Sequence, residues 1–304
     1  MSKQLRGSLL LLLAAAVWGL AFVAQRVGMD AMQPLSFNGI RLLLAGVCLL
    51  PVIAVSDKKK KEAGAPAPDT ARNGLQLKAG VLCGLFLFAA SALQQAGLVY
   101  TSAGKSGFLT ALYVVLVPVA GWLIFRKDPG RAVIVSVVLA VIGLYLLCFT
   151  DTSFTVNIGD VLLILCALCF TGHILVIDRF SPFVDGIRLS CTQFFIAGSL
   201  CVLVSLFTET ITLSGIREAL IPLLYAGVMS GAVGYTLQIV AQKDTDPTVA
   251  SLIMCLESVF AVIFGAVVLR ETMTGREIAG CAIMFTAVIL AQLSPLIGKR
   301  GKRG

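Results

Sequence analysis

The 304-residue chain is 58% hydrophobic and only 13% charged, and its mean hydropathy is +0.95, a composition that excludes an ordinary soluble globular protein. Its net charge of +8 does not indicate a nucleic-acid partner, because the basic residues lie in short loops and the carboxyl-terminal tail, where they orient a membrane protein. The nine cysteines all fall inside apolar stretches, where cysteine acts as a small hydrophobic residue, so no disulfide framework is predicted.

Ten apolar stretches follow one another along the chain, separated by polar breaks. A helix needs about 20 mostly apolar residues to cross roughly 30 Å of hydrocarbon, and the alternating pattern of a membrane β-barrel is absent. The sequence therefore predicts an all-α membrane protein with ten transmembrane helices. They are placed at roughly 8–25, 34–56, 78–99, 105–125, 131–149, 158–178, 187–206, 218–240, 248–268 and 276–296.

The distribution of charge predicts how these helices are oriented. The first stretch follows Lys3 and Arg6 and is longer than the apolar region of a secretory signal, so it is interpreted as a helix. Of the 24 Lys and Arg residues, eighteen lie on the side of the two termini and five on the other side. Both termini are therefore predicted to be cytoplasmic, in a multi-pass protein of the plasma or inner membrane. Residues 57–77, beginning DKKKKEAGAPAP, are predicted to form a flexible cytoplasmic loop.

The two halves of the chain share a weak internal repeat. Asn38-Gly-Ile-Arg-Leu42 follows a proline, and so does Asp185-Gly-Ile-Arg-Leu189. Four further pairs stand at one constant spacing: Gln94 and Gln238, Thr101 and Thr245, Gly121 and Gly265, Arg126 and Arg270. Because each half holds five spans, the second half enters the membrane from the opposite side. This predicts two inverted repeats, 1–150 and 151–304, as in many secondary transporters.

Glu257 places a carboxylate in the apolar stretch LIMCLESVFAVIFG. A charged side chain at the centre of a bilayer costs about 3 kcal/mol on insertion scales, and such residues usually mark a pathway or a site. Glu257 is therefore a candidate to carry a proton or to pair with the amine of a substrate. The alternative is a structural residue whose hydrogen bonds join neighbouring helices.

His173 is the only histidine and lies within the sixth span. Cys166, Cys169 and His173 share one helical face, which makes a metal site conceivable. Small cysteines at helical spacing are more typical of packing, so no metal and no other cofactor is predicted. His173 either faces a substrate cavity, where it titrates or binds substrate, or forms a hydrogen bond between helices.

Four more residues are candidates to line a substrate cavity. Gln94 and Gln238 occupy corresponding positions deep in the third and eighth spans, which suits a site near a central axis. Trp18 and Tyr113 lie within spans, where an aromatic ring can stack on a substrate ring or cation. The alternatives are hydrogen bonds between helices for the amides and ordinary packing for the rings.

Arg41 and Arg188 are candidate gating residues because they occupy equivalent positions in the two repeats. Arg41 lies about 10 Å below the outer surface, seven residues along the second helix, within reach of a carboxylate. Arg188 lies near the inner surface. The alternative for both is that the guanidinium extends to the membrane surface without a partner.

Taken together, the chain resembles the EamA-type ten-helix permeases of the drug/metabolite transporter superfamily. The motifs that carry the likeness are Trp18-Gly19, the proline and arginine pattern that ends at Arg41, Leu116-Val-Pro-Val-Ala-Gly121, Leu256-Glu-Ser-Val-Phe-Ala and Leu269-Arg-Glu271. The resemblance implies a plasma-membrane carrier, often an exporter of amino acids or other small metabolites, that works by alternating access around a central cavity. The chain departs from the family pattern at Phe125-Arg126-Lys127, where an acidic residue is common.

The predicted function is that of a secondary transporter for an amino acid, a related amine or another organic solute, in the export direction. Its partners are a small-molecule substrate and the lipid bilayer, with protons as the coupling ion if the substrate's own gradient does not drive transport. No phosphate-binding loop, zinc-protease motif or nucleophile elbow is present, so the chain is not expected to be an enzyme. The alternative is a membrane sensor or scaffold that retains the carrier fold without transport. No particular oligomeric state is predicted.

Overall fold

The structure is a computed structural model that describes residues 3–63, 70–100, 103–126, 128–148, 157–268 and 273–300. Every regular element within these ranges is a helix. The helices are α1 (Lys3–Met29), α2 (Pro34–Glu62), α3 (Thr70–Tyr100), α4 (Ala103–Ala111), α5 (Tyr113–Phe125), α6 (Arg131–Cys148), α7 (Ile158–Phe180), α8 (Gly186–Thr208), α9 (Leu213–Glu218), α10 (Leu220–Leu224), a π-helix (Tyr225–Tyr235), α11 (Thr236–Gln242), α12 (Pro247–Met254), α13 (Glu257–Val268) and α14 (Gly275–Arg300).

The prediction of an all-α membrane protein is confirmed. Within the described ranges, nine helical stretches are long and apolar enough to cross a membrane, and a tenth, Arg131–Leu147, is apolar but shorter. Together they correspond to the ten predicted spans. Thr101, Lys127 and Leu269-Arg-Glu271, which entered the repeat and motif comparisons, lie outside the described residues, as does the predicted boundary at 150/151.

Two of the predicted spans are interrupted helices, which the sequence did not indicate. The fourth span divides into α4 and α5 at Leu112, and the ninth divides into α12 and α13 at Cys255 and Leu256. The helical turn is more tightly wound at both points. The N–H of Leu112 donates to Leu109 O at 3.3 Å, and that of Leu256 donates to Ile253 O at 3.1 Å, so each bond spans three residues instead of four. Such a turn inside a helix often marks a hinge.

The cytoplasmic loop predicted at 57–77 is largely helical. Helix α2 continues to Glu62 and α3 begins at Thr70, so the described part of this segment lacks the predicted loop. Lysine is a good helix former, and Lys58 and Glu62 form an i,i+4 ion pair of 3.9 Å. The lysine-rich segment therefore extends α2, and residues 64–69 lie outside the description.

Close helix packing depends on small residues at the contacts. Helix α2 packs against α8, α6 against α14, and α3 against α7 and α8. A Cβ on Gly280 of α14 would lie 2.9 Å from the carbonyl oxygen of Gly143 on α6, and one on Gly227 of the π-helix would lie 2.9 Å from Arg41 O. Side chains larger than hydrogen do not fit at these positions without helix movement.

Two buried apolar clusters flank the centre of the molecule. One includes Val117 and Leu252, and the other includes Leu42 and Phe194. Trp18 packs against both clusters. The candidate site lies next to this tryptophan, between the two clusters.

Candidate functional site

A central cavity of about 50 Å³ lies where α1, α2, α3, α7 and the interrupted helices meet. Five of the residues predicted to contact substrate form part of its wall: Trp18, Gln94, Tyr113, Gln238 and Glu257. Arg41, predicted as a gating residue, also lines it. Tyr235, an aromatic residue within the eighth predicted span, also lines it. The polar lining residues that the sequence analysis missed are Gln25, Thr110 and Ser230. All three lie within predicted spans, and their polarity was the only available signal.

Glu257 is the first residue of α13, immediately after the interruption of the ninth span. It is only 7% exposed, and its carboxylate forms no hydrogen bond or ion pair with any other described residue. The N-terminus of α13 favours a negative charge, since its first backbone N–H groups lack helical acceptors. An ionised carboxylate buried in this way still requires a positive partner or a proton to offset its lost hydration. The cavity is the space from which that partner can come.

Tyr113 occupies the position in the first half of the chain that corresponds to Glu257 in the second half. It is the first residue of α5, immediately after the other interruption, and the two positions have the same spacing as Gln94 and Gln238. The two interruptions meet, since the thiol of Cys255 donates to Ala111 O at 3.6 Å. Two interrupted helices therefore contact each other beside the cavity, an arrangement found at the sites of many secondary transporters.

Gln238 is oriented by a short chain of hydrogen bonds. Its Nε2 donates to Gln242 Oε1 at 2.9 Å, and Gln242 Nε2 donates to Ile174 O at 3.3 Å. This order leaves Gln238 Oε1 buried without a donor among the described residues. Gln25 is similar, because its Nε2 donates to Ala21 O at 3.4 Å while its Oε1 has no donor there. Two residues of the cavity wall thus each carry a buried amide oxygen that can accept a further hydrogen bond.

Aromatic rings form much of the remaining wall. The Trp18 and Tyr235 rings lie 4.9 Å apart, and those of Tyr113 and Phe170 lie 6.5 Å apart. Trp18 Nε1 donates to Ser230 O at 3.0 Å, which ties the ring to the π-helix. π-helical turns occur frequently at functional sites, and this one brings Ser230 and Tyr235 to the cavity. Faces of Trp and Tyr rings attract organic cations.

Arg41 is buried in the cavity wall and does not extend to the membrane surface. It is 2% exposed, and its Nε donates to Asn38 Oδ1 at 2.9 Å. Asn38 is held in turn, because its Nδ2 donates to Ser91 Oγ at 2.8 Å and to Cys201 Sγ at 3.2 Å. The terminal guanidinium nitrogens have no acceptor among the described residues. The structure therefore replaces the surface-reaching alternative with an internal cation of fixed orientation.

His173 does not lie in the wall of the central cavity. It is fully buried, its Nε2 lies 2.9 Å from Gln193 Oε1, and its ring meets that of Tyr235 edge-on at 6.0 Å. This is the alternative role of a hydrogen bond between α7 and α8. The described residues contain no group of three or more His, Cys, Asp or Glu side chains that could hold a metal ion.

Arg188 of α8 lies near the carboxyl-terminal end of α2, whereas Arg41 lies near the start of α2. Arg188 belongs to a polar network outside the cavity. Its guanidinium pairs with Asp57 of α2. Lys60 Nζ lies 2.8 Å from Asp185 Oδ2, and the N–H of Asp185 donates to Gln76 Oε1 at 2.8 Å. We refer to these five residues as the α2–α8 clasp. It joins the carboxyl-terminal end of α2 to the start of α8, with α3 alongside.

The clasp predicts a pH-dependent stability. Partial burial of Asp185 opposes ionisation, but the bond from Lys60 and the backbone N–H groups of Arg188 and Ile187 together hold its pKa below the ordinary 3.8. Asp185 therefore contributes stability above its unfolded pKa and loses it as the pH falls through the folded pKa. We expect D185N to lower the melting temperature at pH 7 by about 2 °C. That difference should shrink as the pH falls below 3.8 and disappear below the folded pKa of Asp185.

A double variant provides the control for this prediction. K60Q should lower the melting temperature at pH 7 by a similar amount, and D185N/K60Q should lower it by less than the sum, because the two residues share one interaction. Melting in detergent across the pH range measures all three variants. Additive effects that do not change with pH would contradict the role assigned to Asp185.

Comparison with known proteins decides the family. A family model for the EamA-like transporter family matches residues 5–149 and, separately, residues 157–293. The chain belongs to the EamA-like transporter family. An uncharacterized transporter of Archaeoglobus fulgidus is 30% identical over 96% of this chain and 87% of its own length. A chloroplastic WAT1-related protein of Arabidopsis thaliana is 25% identical over 90% of this chain and 66% of its own length.

A solved crystal structure has the same fold. It superimposes with a TM-score of 0.76 over 94% of this chain and 98% of its own, at 14% sequence identity. At this identity the likeness concerns the fold alone. Membership of the EamA-like family makes the protein a multi-span membrane transporter and not an enzyme. The alternative of a sensor or scaffold without transport is therefore not retained.

Proposed function

We propose that this EamA-like protein carries an amino acid, a related amine or a similar organic solute across the plasma membrane by alternating access. The export direction follows the resemblance to family exporters. The observation that carries the proposal is the buried Glu257 carboxylate, which lines the cavity and has no partner among the described residues. A substrate amine supplies the missing positive charge, and the rings of Trp18 and Tyr235 add favourable contacts with a cation.

Alternating access is supported by the correspondence of the two halves. The family model matches each half once, and the helices that correspond in the repeats, α2 with α8 and α6 with α14, pack against each other. The interruptions at Leu112 and Leu256 have the repeat spacing. We propose that 1–150 and 151–304 are inverted repeats that move relative to each other at the interruptions, with both termini cytoplasmic.

The α2–α8 clasp supports a gating role for Arg188. Asp57–Arg188 and Lys60–Asp185 hold one end of the α2–α8 contact closed. At the other end, the Glu209 carboxylate accepts from the N–H groups of Leu35 and Ser36 at 2.8 and 2.7 Å. Because these polar contacts lie at opposite ends of the α2–α8 pair, one can break while the other stays formed, so that the cavity opens to one side of the membrane at a time. The clasp lies on the proposed cytoplasmic face.

Glu257 also suits proton coupling. An ionised carboxylate that is buried without a partner is costly, so either a substrate amine or a proton must be present while the cavity changes sides. Exchange of one for the other would link export of an amine to entry of a proton. This role requires only one carboxylate, and Glu257 is the one that the described part of the cavity wall contains.

Counterflow in proteoliposomes tests the proposed function. Vesicles loaded with an unlabelled solute should transiently accumulate the same labelled solute if the protein is a carrier. We expect accumulation with amino acids and amines but not with glucose or uridine, and none in protein-free vesicles. An imposed pH gradient should change the rate if protons are coupled. Accumulation of glucose or uridine, without any amino compound, would contradict the proposed substrate class.

A further inference from the structure

Two hydroxyl groups near Glu257 are buried without a hydrogen-bond partner. Thr110 is 2% exposed and Ser258 is 6% exposed, and neither hydroxyl oxygen forms a hydrogen bond within the described part of the chain. The thiol of Cys166 adjoins the Thr110 hydroxyl, but a thiol is only a weak partner. A buried hydroxyl without a strong partner is costly. Both oxygens therefore remain available to a ligand.

Most other hydroxyls in the membrane-spanning helices bond to the preceding turn. Ser136 Oγ donates to the carbonyl oxygen four residues earlier at 2.9 Å, and Thr171 Oγ1 does the same at 2.8 Å. Such a bond satisfies the hydroxyl inside its own helix. The same pattern holds for Ser91, Thr192, Thr208 and Thr286. Thr110 and Ser258 depart from it beside the two interruptions.

The two hydroxyls lie where the interrupted helices approach each other. Thr110 is in the last turn of α4 and lines the central cavity together with Glu257. Ser258 follows Glu257 in α13. A Cβ on Gly107 of α4 would lie 3.9 Å from Ser258 Oγ and would meet no other described atom within 4 Å outside its own helical turn. A narrow gap therefore separates α4 from α13 next to the carboxylate.

The helix ends at this junction favour a cation. Helix α4 ends at Ala111 and α12 ends at Met254, and the carboxyl-terminal ends of helices carry partial negative charge. Met254 lines the central cavity together with Thr110 and Glu257. In many secondary transporters, the ends and unwound carbonyl groups of interrupted helices coordinate Na⁺ or a proton. The junction thus combines one full negative charge with several neutral oxygens.

This set of oxygens is suited to a monovalent hard cation. Ca²⁺ takes about six to eight oxygen ligands, usually with several carboxylates, and Glu257 is the one carboxylate in the described cavity wall. A softer metal prefers nitrogen or sulfur ligands. A proton would neutralise Glu257 without using either hydroxyl, whereas Na⁺ uses all three groups. The narrow gap at Gly107 favours the smaller Na⁺ over K⁺.

We propose that Na⁺ binds between Glu257, Ser258 and Thr110 and is the ion exchanged for the substrate amine. This inference rests on the proposed function and names its counter-ion. Bound Na⁺ compensates the Glu257 carboxylate while that group stays ionised, and an arriving amine displaces the ion. One monovalent cation replaces another, so export of the amine is coupled to entry of Na⁺ in place of a proton.

Thermal unfolding of the full-length protein in detergent tests the site with Na⁺ alone. NaCl replaces KCl at constant pH and constant ionic strength, without any organic substrate. A ligand that binds only the folded state raises the melting temperature. We expect replacement of about 100 mM KCl by NaCl to raise it by about 2–4 °C. This wild-type comparison decides the inference even if a variant does not fold.

Variants of the three groups should weaken or remove this rise. E257Q should abolish it. S258A and T110V should each need at least about tenfold more Na⁺ for the same rise, because each removes one oxygen from a charged ligand. S136A and T171V are the matched controls, since they make the same chemical changes at hydroxyls that bond within their own helices. Neither control should change the Na⁺ dependence.

Efflux from proteoliposomes tests the exchange. Vesicles are loaded with an amino compound that shows counterflow, and a proton ionophore holds both sides at the same pH. External NaCl should accelerate efflux relative to external KCl in the wild-type protein and in S136A. This acceleration should be lost in S258A.

Other results separate the inference from the proposed function. Equal melting temperatures in NaCl and KCl, with counterflow of an amino compound, overturn the inference and leave the proposed carrier. A Na⁺-dependent rise that S258A and T110V retain unchanged places the ion elsewhere and also overturns the inference. Absence of counterflow with every amino compound, despite a Na⁺-dependent rise, overturns the exchange role together with the proposed function.

Discussion

Replacing Glu257 with glutamine is expected to reduce transport of an amine-bearing solute at least tenfold without lowering the melting temperature of the empty protein. The functional loss follows because glutamine keeps the shape but cannot neutralise an ammonium group or hold a proton. The stability should stay constant or rise by up to about 4 °C, because the variant removes a buried carboxylate that has no partner among the described residues. Counterflow and thermal unfolding in detergent measure the two effects.

E209Q is the matched control for this variant. Glu209 accepts from two backbone N–H groups at the start of α2, so its carboxylate stabilises that helix end. We expect E209Q to cost about 1 kcal/mol and to lower the melting temperature by a few degrees. Because Glu209 does not line the cavity, the rise in melting temperature that an amine-bearing solute produces should remain in E209Q and be lost in E257Q. If E257Q is less stable and keeps that rise, Glu257 is the structural bridge between helices that was the alternative.

Substituting alanine for Gly19 is expected to destabilise the protein by about 1–3 kcal/mol and to reduce transport. A Cβ there would lie 2.8 Å from both Glu257 O and Ala261 N and 2.7 Å from Phe260 Cβ. Backbone atoms cannot rotate away as a side chain can, so α1 and α13 must separate. That separation displaces the turn that holds Glu257.

The same substitution at Gly74 provides the control. Gly74 lies exposed in α3, and a Cβ at this position would have no described atom within 4 Å outside its own helical turn. Alanine there should stabilise the helix by up to about 1 kcal/mol, because glycine is the poorer helix former. Opposite signs of the melting-temperature change in G19A and G74A are the expected result. Equal small effects would show that the contact between α1 and α13 is looser than the structure indicates.

The sequence predicted the number and positions of the membrane-spanning helices, but it did not predict where two of them are interrupted. Apolar length alone identifies ten spans, since hydrocarbon thickness sets a minimum that few other folds require. No glycine or proline adjoins Leu112 or Leu256, so no local signal separates α4 from α5 or α12 from α13. The π-helix was missed because its glycines indicate close helix packing and not a wider helical turn. These features arise from packing at the centre of the bundle, which the sequence pattern does not encode residue by residue.

The residues of the candidate site were also predicted only in part. Polarity within an apolar run identified Glu257, Gln94 and Gln238, because uncompensated polar groups are costly in a bilayer. It did not distinguish a residue that faces the cavity from one that faces another helix. His173 bonds Gln193 through Nε2 away from the cavity wall, whereas Arg41, expected near a gate, lines the cavity. A single sequence shows how deep a residue lies in the membrane more reliably than it shows which side of its helix the residue faces.

The unequal pair Tyr113 and Glu257 has a consequence for the direction of transport. In the proposed carrier, the two halves exchange roles as the cavity faces first one side and then the other. Only one half contributes a carboxylate at this position, so the inward-facing and outward-facing sites differ chemically. The substrate concentration that half-saturates the protein from inside should therefore differ from that outside. At low substrate concentration, such a carrier is closer to saturation from the side with the lower half-saturating concentration.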